Sequence, residues 1–289
     1  MDNATQQNQK AYDEGAAGWN EAMRANMGHL YLEKPAMERE LPDDLTGKKV
    51  LCIGAGSGEE LGSILTRNPI NVVATDISVK LLGMAHERYP EVECRAIDMM
   101  ALGHCDTPYD HHPCESKDSG MNHKPIDSRL QVGDEATISG NSFDFIYSSL
   151  AFHYANDWDH LLVGIRHVLK PGGTLLFSTH HPSYWAKRPT GVSHTNARGM
   201  KLTEHTATLP GGVGITYYNH PDTDSIREAL THAGFTIEHA YAPTVVPIPL
   251  DTLTLPDRKK YKNLVKTNAE TPLFWVVRAF TSDTRPCDV

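Results

Sequence analysis

Two short apolar runs in the first third of this sequence constrain its fold most strongly. The first run, residues 50–53, is followed by three closely spaced glycines, Gly54, Gly56 and Gly58, and the second, residues 72–75, ends at Asp76. Short apolar runs bounded by glycine suit buried strands of a parallel sheet better than helices. Glycines at a strand end let backbone N–H groups approach a ligand, and a carboxylate about 20 residues downstream can accept hydrogen bonds from ribose hydroxyls. The pattern therefore predicts an α/β fold with a site for a nucleoside cofactor.

The spacing of the glycines discriminates between kinds of cofactor. A dinucleotide fingerprint has the form G-x-G-x-x-G, whereas here the third glycine comes one residue early and Glu59 takes the sixth position. The carboxylates of Glu59 and Glu60 would repel a diphosphate bound at this loop. A nicotinamide-dependent oxidoreductase is therefore disfavoured, and a nucleoside cofactor without a diphosphate is compatible.

Composition excludes several classes of function. The 289 residues carry a net charge of -9, with a pI near 5.9, so the sequence offers no broad basic surface for nucleic acid. No apolar stretch approaches the roughly 20 residues that span a bilayer, and residues 1–10 are polar rather than signal-like. The five cysteines are scattered, as expected where thiols stay reduced. We expect a cytoplasmic protein without a membrane or nucleic-acid partner.

Strands and helices alternate from residue 49 onward, after a helical segment that includes residues 11–27. The predicted strands are residues 49–53, 72–76, 92–97, 143–149, 174–179, 235–241 and 273–280, and the predicted helices are residues 59–67, 79–88, 157–170 and 223–233. Such alternation predicts a doubly wound, mostly parallel sheet of seven strands, covered on both faces. We expect one domain with a helical cap (1–40), a core (41–183), a substrate lid (184–216) and a C-terminal part of the sheet (217–289).

An insertion interrupts this alternation at residues 103–141. It is far longer than the usual connection of about 2–6 residues and is rich in polar residues, so we expect a loosely packed or disordered segment. It contains several residues of zinc-ligand type: His104, Cys105, His111, His112, Cys114 and His123. Their spacing, C-x5-H-H-x-C, matches no compact zinc finger, so a solvated loop is favoured over a metal site.

Three further motifs resemble one family. They are FDFIYSSLAFHY at residues 143–154, VLKPGG at 168–173 and LTHAGF at 230–235, the last followed by FWVVRA at 274–279. Together with the glycine loop, they are similar to class I S-adenosylmethionine-dependent methyltransferases that act on small molecules. The resemblance covers about residues 41–183 and 217–280. It implies a Rossmann-like methyltransferase fold with an antiparallel last strand, and methyl transfer to a small-molecule acceptor. An RNA or tRNA methyltransferase of the same fold and a non-catalytic cofactor-binding domain remain alternatives.

The resemblance also implies roles for individual residues. Gly54, Ala55 and Gly56 would hold the methionine part of S-adenosylmethionine and Asp76 its ribose, while Ile77, Met99 and Asp98 would contact the adenine. Tyr12 and Trp19 would belong to a helix that folds over the cofactor, although they also suit the core of an amphipathic helix. Ser148 is assigned to the cofactor site as well.

Histidines follow two of the predicted strands at the edge where the methyl group would lie. His153 follows the fourth strand, and His180 and His181 follow the fifth. Because the pKa of imidazole suits a general base, we select His153 and His181 as candidate catalytic residues, although a histidine at a strand end is often only structural.

One departure from the family pattern concerns Cys52. The family usually has an Asp or Glu there, which orients the amino group of the cofactor, and a thiol cannot replace that charge. Either a nearby group such as Glu59 substitutes for it, cofactor affinity is lower, or catalysis has been lost.

Overall fold

The computed structural model describes residues 1–102, 130–132, 138–186, 191–195, 199, 201–208 and 214–282. The α-helices of these residues are α1 (Asn3–Arg24), α2 (Lys34–Glu40), α3 (Leu61–Leu65), α4 (Val79–Arg88), α5 (Trp158–Val168), α6 (Pro182–Trp185), α7 (Thr223–His232) and α8 (Leu255–Glu270). The strands are β1 (Lys49–Ile53), β2 (Asn71–Asp76), β3 (Glu93–Ala96), β4 (Leu130–Val132), β5 (Phe143–Ser148), β6 (Leu169–His180), β7 (Val192–Thr195), β8 (Lys201–Thr208), β9 (Gly214–Asn219), β10 (Phe235–Tyr241) and β11 (Phe274–Thr281). One turn of π-helix, His29–Glu33, leads into α2.

The main sheet has the strand order β10-β11-β6-β5-β1-β2-β3-β4. Strands β1 to β6 run parallel, whereas β11 is antiparallel to both β6 and β10. The predicted mostly parallel sheet with an antiparallel last strand is therefore confirmed. The sheet has eight strands where the sequence predicts seven, because β4 pairs with β3 at its edge.

Strand β4 also corrects the expectation for residues 103–141. Its pairing runs from Cys94 opposite Leu130 to Ala96 opposite Val132, so part of this insertion belongs to the sheet. The histidines and cysteines of zinc-ligand type in the insertion, for which a solvated loop is predicted, lie outside the described residues.

Two other elements differ from the prediction. The helix predicted at residues 59–67 is limited to α3, since turns occupy the residues just before it. Helix α8 was not predicted at all, because it buries few side chains, among them Tyr261 and Leu264, and has no clear apolar stripe.

Strand β1 lies at the centre of the core and is buried on both faces. Leu51 and Ile53 pack on one side with residues of α5 and α7, while Val50 and Cys52 pack on the other side with residues of α2, α3 and α4. This arrangement follows from the period of two along a strand, and it explains why the run reads as continuously apolar.

Helix α1 lies across the carboxyl ends of β1 and β2. The Gln9 side chain donates to the carbonyl of Ile77 (3.1 Å), and the Ser78 hydroxyl donates to Asp13 (2.7 Å). A second sheet, β7-β8-β9, packs against α1 through β9. It occupies much of the segment predicted as a lid, although β9 continues to Asn219, beyond the predicted end.

Candidate active site

A cavity of about 500 Å³ lies at the carboxyl ends of the parallel strands. Its walls come from the loops after β1, β2, β3, β5 and β6, from α1, and from the second sheet. Doubly wound sheets bind ligands at this edge, near the point where the strand order reverses. Here that point is β1, which has β2 on one side and β5 on the other. The volume is within the usual range for small-molecule sites, about 300–1,000 Å³.

The glycine loop and Asp76 meet at one wall of this cavity. Gly54 and Gly56 adopt positive φ angles of 67° and 53°, which favour glycine. The Gly56 N–H donates to one carboxylate oxygen of Asp76 (2.8 Å), and the Ser78 N–H donates to the other (2.8 Å). Burial raises the pKa of Asp76, although the backbone donors from Ser78 and Gly56 act in the opposite direction. The loop and the carboxylate are thus fixed relative to each other.

An apolar wall continues from Asp76 along the ends of β2 and β3. Ile77, Met99 and Asp98 all line it, as do Ile97 and Met100. The Asp98 carboxylate accepts a hydrogen bond from the N–H of Met100 (2.9 Å) and caps a short 3₁₀-helix that begins at Met99. This wall offers an apolar surface with one carboxylate at its edge.

A group of aromatic and imidazole rings forms another wall. The His153 ring stacks on His180, with ring centroids 4.1 Å apart, and lies edge-on to Tyr217 at 6.1 Å. His153 is 4% exposed, and its Nδ1 has no hydrogen-bond partner among the described residues. Burial, together with the neighbouring His180 ring, holds the pKa of His153 well below its usual range. His153 is therefore neutral at neutral pH.

The charges around the cavity are mostly negative. Four carboxylates line it, those of Glu59, Glu60, Asp76 and Asp98, and none of the described lining residues is a lysine or an arginine. Such a wall suits a cationic ligand and repels a diphosphate. A nucleoside sulfonium fits this charge, and a dinucleotide does not.

Comparison with known proteins agrees with this geometry. A family model described as a methyltransferase domain matches residues 23–240. An uncharacterized protein of Haemophilus influenzae is 32% identical over 246 residues, covering 78% of this chain and 83% of that protein. A malonyl-(acyl-carrier protein) O-methyltransferase 1 of Coxiella burnetii is 41% identical over 61 residues, covering 20% of this chain and 22% of that protein. An S-adenosylmethionine-dependent methyltransferase structure from Mesorhizobium loti has a TM-score of 0.56 at 23% identity, covering 86% of this chain and 97% of that one.

The chain belongs to the class I S-adenosylmethionine-dependent methyltransferases. S-adenosylmethionine is therefore its cofactor and methyl donor. The cofactor carries a sulfonium and an ammonium against one carboxylate, so its net charge is opposite to that of the acidic cavity wall. The residues present thus fit the group chemically.

Helix α1 brings two of the expected aromatic residues to the cavity of the methyltransferase. Tyr12 and Trp19 both line it, and their rings meet edge-on at 5.3 Å. The Tyr12 hydroxyl also hydrogen-bonds with the hydroxyl of Tyr154, which follows β5. Tyr12 and Trp19 therefore belong to the cavity wall as well as to the packing of α1.

Two sequence-based assignments need correction. His181 does not line the cavity of the methyltransferase; its Nδ1 accepts a hydrogen bond from the Ser183 N–H (3.2 Å) at the start of α6. Neighbouring residues at a strand end face opposite ways, and here His180 is the one that faces the cavity. Ser148 is fully buried and donates to the carbonyl of Ile53 (3.0 Å), while the adjacent Ser149 lines the cavity.

Glu59 does not fill the charge missing at Cys52. Its carboxylate is held by Arg88 (2.7 Å) and Arg24 (3.1 Å). Burial alone would raise the pKa of Glu59, but the hydrogen bonds from both arginines outweigh it and the pKa lies below its usual value. Its charge is therefore already neutralised.

Several lining residues were missed by sequence reasoning, notably His29, Tyr217 and Phe274, whereas Glu60 was placed at the glycine loop but given no part in holding the cofactor. His29 precedes α2 in a segment without a motif, and Tyr217 lies on β9, for which no strand was predicted. Among the described residues, no group of three metal-ligand side chains is arranged to hold an ion. The helices of the described residues are too short or too polar to cross a membrane.

Proposed function

We propose that this methyltransferase acts on a small molecule with an apolar body and an uncharged O–H or N–H nucleophile. The observation that carries the proposal is the neutral, buried imidazole of His153 in a wall of aromatic and aliphatic side chains, with no lysine or arginine among the described lining residues.

The cofactor is proposed to lie along the loops after β1, β2 and β3. Gly54, Ala55 and Gly56 hold its amino-acid part, and Asp76 accepts from its ribose hydroxyls. Its adenine packs between Ile77 and Met99, with Asp98 at the exocyclic amine. The support for this placement is that all of these residues line one continuous cavity at the carboxyl edge of the sheet.

The acceptor is proposed to occupy the part of the cavity near His153. Tyr217 of β9 lies edge-on to His153, and Phe274 at the start of β11 stacks on His180. Ile215 of β9 and Leu264 of α8 also line the cavity. These side chains offer apolar and aromatic contact, which favours a hydrophobic acceptor. The second sheet then serves as the substrate lid, because β9 supplies two of these residues.

His153 is the proposed proton acceptor. The bound cofactor supplies a methyl group on a sulfonium leaving group, so the chain has to align the nucleophile, exclude water and receive one proton. When the new bond to the methyl carbon forms, the proton of the acceptor O–H or N–H passes to the neutral imidazole. The pKa of His153 lies below its usual range, so the ring stays in its proton-accepting form throughout the neutral pH range.

This acceptor differs in charge from the one in the names of two relatives. The Coxiella burnetii and Marinomonas proteins are called malonyl-(acyl-carrier protein) O-methyltransferases, and a malonyl group presents a carboxylate. Burying a carboxylate without a cationic partner is costly, and the described lining offers no lysine or arginine. The imidazolium of His29, which also lines the cavity, is already paired with Glu33 and Glu60. We therefore propose that a carboxylate is not the nucleophile here.

Acceptor screening with labelled S-adenosylmethionine tests the proposal. Pools of neutral phenols and alcohols, amines, carboxylic acids, a malonyl thioester and bulk RNA are compared, and labelling is expected in a neutral hydroxyl or amine pool. The variant His153→Phe keeps the stacking on His180 and removes the proton acceptor. We expect kcat to fall by about 10²–10⁴-fold, with the affinity for S-adenosylhomocysteine nearly unchanged.

The matched control is His181→Asn, which keeps a side-chain acceptor at the start of α6 and lies outside the cavity. It is expected to retain wild-type turnover. Labelling of the malonyl thioester, of another carboxylate or of RNA would overturn the acceptor class. Cofactor binding without labelling of any pool would favour a non-catalytic role, and full turnover by His153→Phe would remove His153 as the base.

A further inference from the structure

A buried cluster of one histidine and two glutamates forms part of the cavity wall. His29 lies between the carboxylates of Glu33 and Glu60, with its Nδ1 2.9 Å from Glu33 and its Nε2 3.1 Å from Glu60. The side chains of His29 and Glu33 are 4% and 0% exposed, and that of Glu60 is 16% exposed. Both ring nitrogens are thus engaged by carboxylates from two different parts of the chain.

The cluster contains one more acidic group than basic groups. Burial alone would lower the pKa of His29, but the hydrogen bonds to Glu33 and Glu60 outweigh it and raise the pKa to about 10. The imidazolium is therefore shared by two carboxylates. The other oxygen of Glu33 accepts from the hydroxyls of Ser149 (2.9 Å) and Ser178.

Glu60 is the member of the cluster that is available to a ligand. One of its oxygens bonds to His29, and the described residues supply no hydrogen bond to the other. Glu60 lines the main cavity beside Gly54 and Ala55 of the loop. In contrast, the Glu33 carboxylate has partners on both oxygens.

Glu60 also lies close to the position whose usual charge is missing. Cys52 and Glu60 line the same small cavity at the base of the glycine loop, together with Ser149. The Cys52 thiol is 3% exposed and its pKa is raised by burial, and then by the charges of Glu60 and Cys94, so it carries no charge at neutral pH. The carboxylate of Glu60 therefore lies beside the glycine loop, although Glu60 follows the loop in the sequence whereas Cys52 precedes it.

We propose that Glu60 binds the α-ammonium group of the cofactor, and that His29 and Glu33 are positioning residues that hold its carboxylate in place. The contact between the Glu60 carboxylate and the ammonium group is charge-assisted and desolvated. In it, Glu60 supplies the negative charge that is absent at Cys52. Because His29 and Glu33 belong to the segment between α1 and α2, the N-terminal part of the chain takes part in cofactor recognition. The inference concerns the cofactor alone and does not depend on which acceptor is methylated.

Other carboxylates of the cavity are less suited to this contact. Glu59 is neutralised by Arg24 and Arg88. Asp76 accepts two backbone N–H groups and lies at the start of the wall formed by Ile77 and Met99. Asp98 lies farther along that wall. Glu60 is left as the carboxylate beside the loop that no arginine among the described residues holds, with one oxygen bonded to His29 and the other facing no described donor.

Two ligands that differ in the amino-acid part test this assignment by calorimetry. S-adenosylhomocysteine contains the ammonium group, whereas 5′-methylthioadenosine has the same adenine, ribose and thioether without it. Glu60→Gln is expected to weaken S-adenosylhomocysteine binding by about 10- to 100-fold, the usual effect of losing a hydrogen bond to a charged group, and to leave methylthioadenosine within about twofold. Glu59→Gln is the matched control and is expected to affect the two ligands equally.

The ratio of the two affinities separates recognition from folding. A loop that misfolds in Glu60→Gln would weaken both ligands together, and that result would overturn the proposal, as would unchanged binding of both. Glu60→Asp keeps the charge on a shorter side chain and is expected to retain part of the preference for S-adenosylhomocysteine. Cys52→Asp, added to Glu60→Gln, is expected to restore this preference by returning a carboxylate to the base of the loop.

Discussion

Gly54 and Ala151 approach each other so closely that a β-carbon added to Gly54 would lie 2.3 Å from the Ala151 Cβ. Real β-carbons do not approach a neighbouring heavy atom within 3.0 Å. The contact joins the glycine loop after β1 to the segment after β5, and both residues line the cavity. The first glycine of the motif thus has a packing role as well as a conformational one, since its φ is also positive.

Gly54→Ala is expected to reduce cofactor affinity at least tenfold. The added methyl group has to push the loop away from Ala151, and the left-handed backbone adds about 1–2 kcal/mol of strain. Titration calorimetry with S-adenosylhomocysteine measures the effect. Ala151→Gly in the same background removes the clashing methyl and is expected to recover part of the loss.

Gly47→Ala is the control for backbone strain alone. Gly47 has a similar positive φ of 75°, but a β-carbon there would meet nothing within 4 Å. This variant is expected to lose stability without losing cofactor affinity. Equal losses of affinity in the Gly47 and Gly54 variants would contradict the role given to the Ala151 contact.

Asn8 fastens α1 to the second sheet through a pair of buried hydrogen bonds. Its side-chain amide donates to the Thr216 carbonyl (2.7 Å) and accepts from the Thr216 N–H (2.8 Å). Asn8→Ala leaves both backbone groups of Thr216 unpaired, and we expect a loss of about 2–4 kcal/mol, on the scale of one to two buried unsatisfied groups. Hydrogen exchange at the amides of β9 should accelerate strongly in this variant.

Gln6→Ala, on the same helix but exposed, is the matched control and should leave exchange in β9 unchanged. If α1 and β9 enclose the ligand together, bound S-adenosylhomocysteine is expected to slow hydrogen exchange at the amides of β9 in both the Asn8→Ala and the Gln6→Ala variants. Wild-type protection of β9 in Asn8→Ala would show that the sheet is held by other contacts.

The sequence predicted the part of the site that is formed by short motifs at the ends of neighbouring strands. Asp76 and the glycine loop could be placed together because parallel strands bring their carboxyl ends to one edge, and the structure joins them by a 2.8 Å hydrogen bond. Which of the adjacent residues His180 and His181 faces the cavity depends on the orientation of the end of β6. Two identical neighbouring residues give no indication of that orientation. The strand period of two becomes decisive only when the register is known.

The rest of the site depends on contacts between distant segments. His29 and Glu60 are 31 positions apart, and neither lies in a pattern that marks a partner. Strand β4 has three residues and joins an edge, so its pairing with β3 outweighs a local sequence that favours loops. Helix α8 likewise owes its place to Tyr261 and Leu264, which pack against the molecule while the remaining positions are mostly polar.

His220 is expected to make the protein less stable in acid. Its ring is 5% exposed and lies edge-on to Trp158 at 4.4 Å, and neither ring nitrogen has a hydrogen-bond partner among the described residues. Burial lowers the pKa of His220 to about 3, against a small opposing effect of Asp222. As the pH falls below about 6.5, the unfolded chain takes up a proton that the folded protein does not bind until about pH 3, so stability is lost over that range.

His220→Leu should remove this acid-dependent loss. Relative to wild type, the free energy of unfolding of the variant is expected to rise by about 2 kcal/mol between pH 7 and pH 5, since each pKa unit corresponds to about 1.4 kcal/mol. Urea titrations at the two pH values measure the change, with substitution of an exposed histidine, His232→Leu, as the matched control. If the stability difference between His220→Leu and wild type is the same at both values, His220 is protonated in the folded protein and its ring must have a partner.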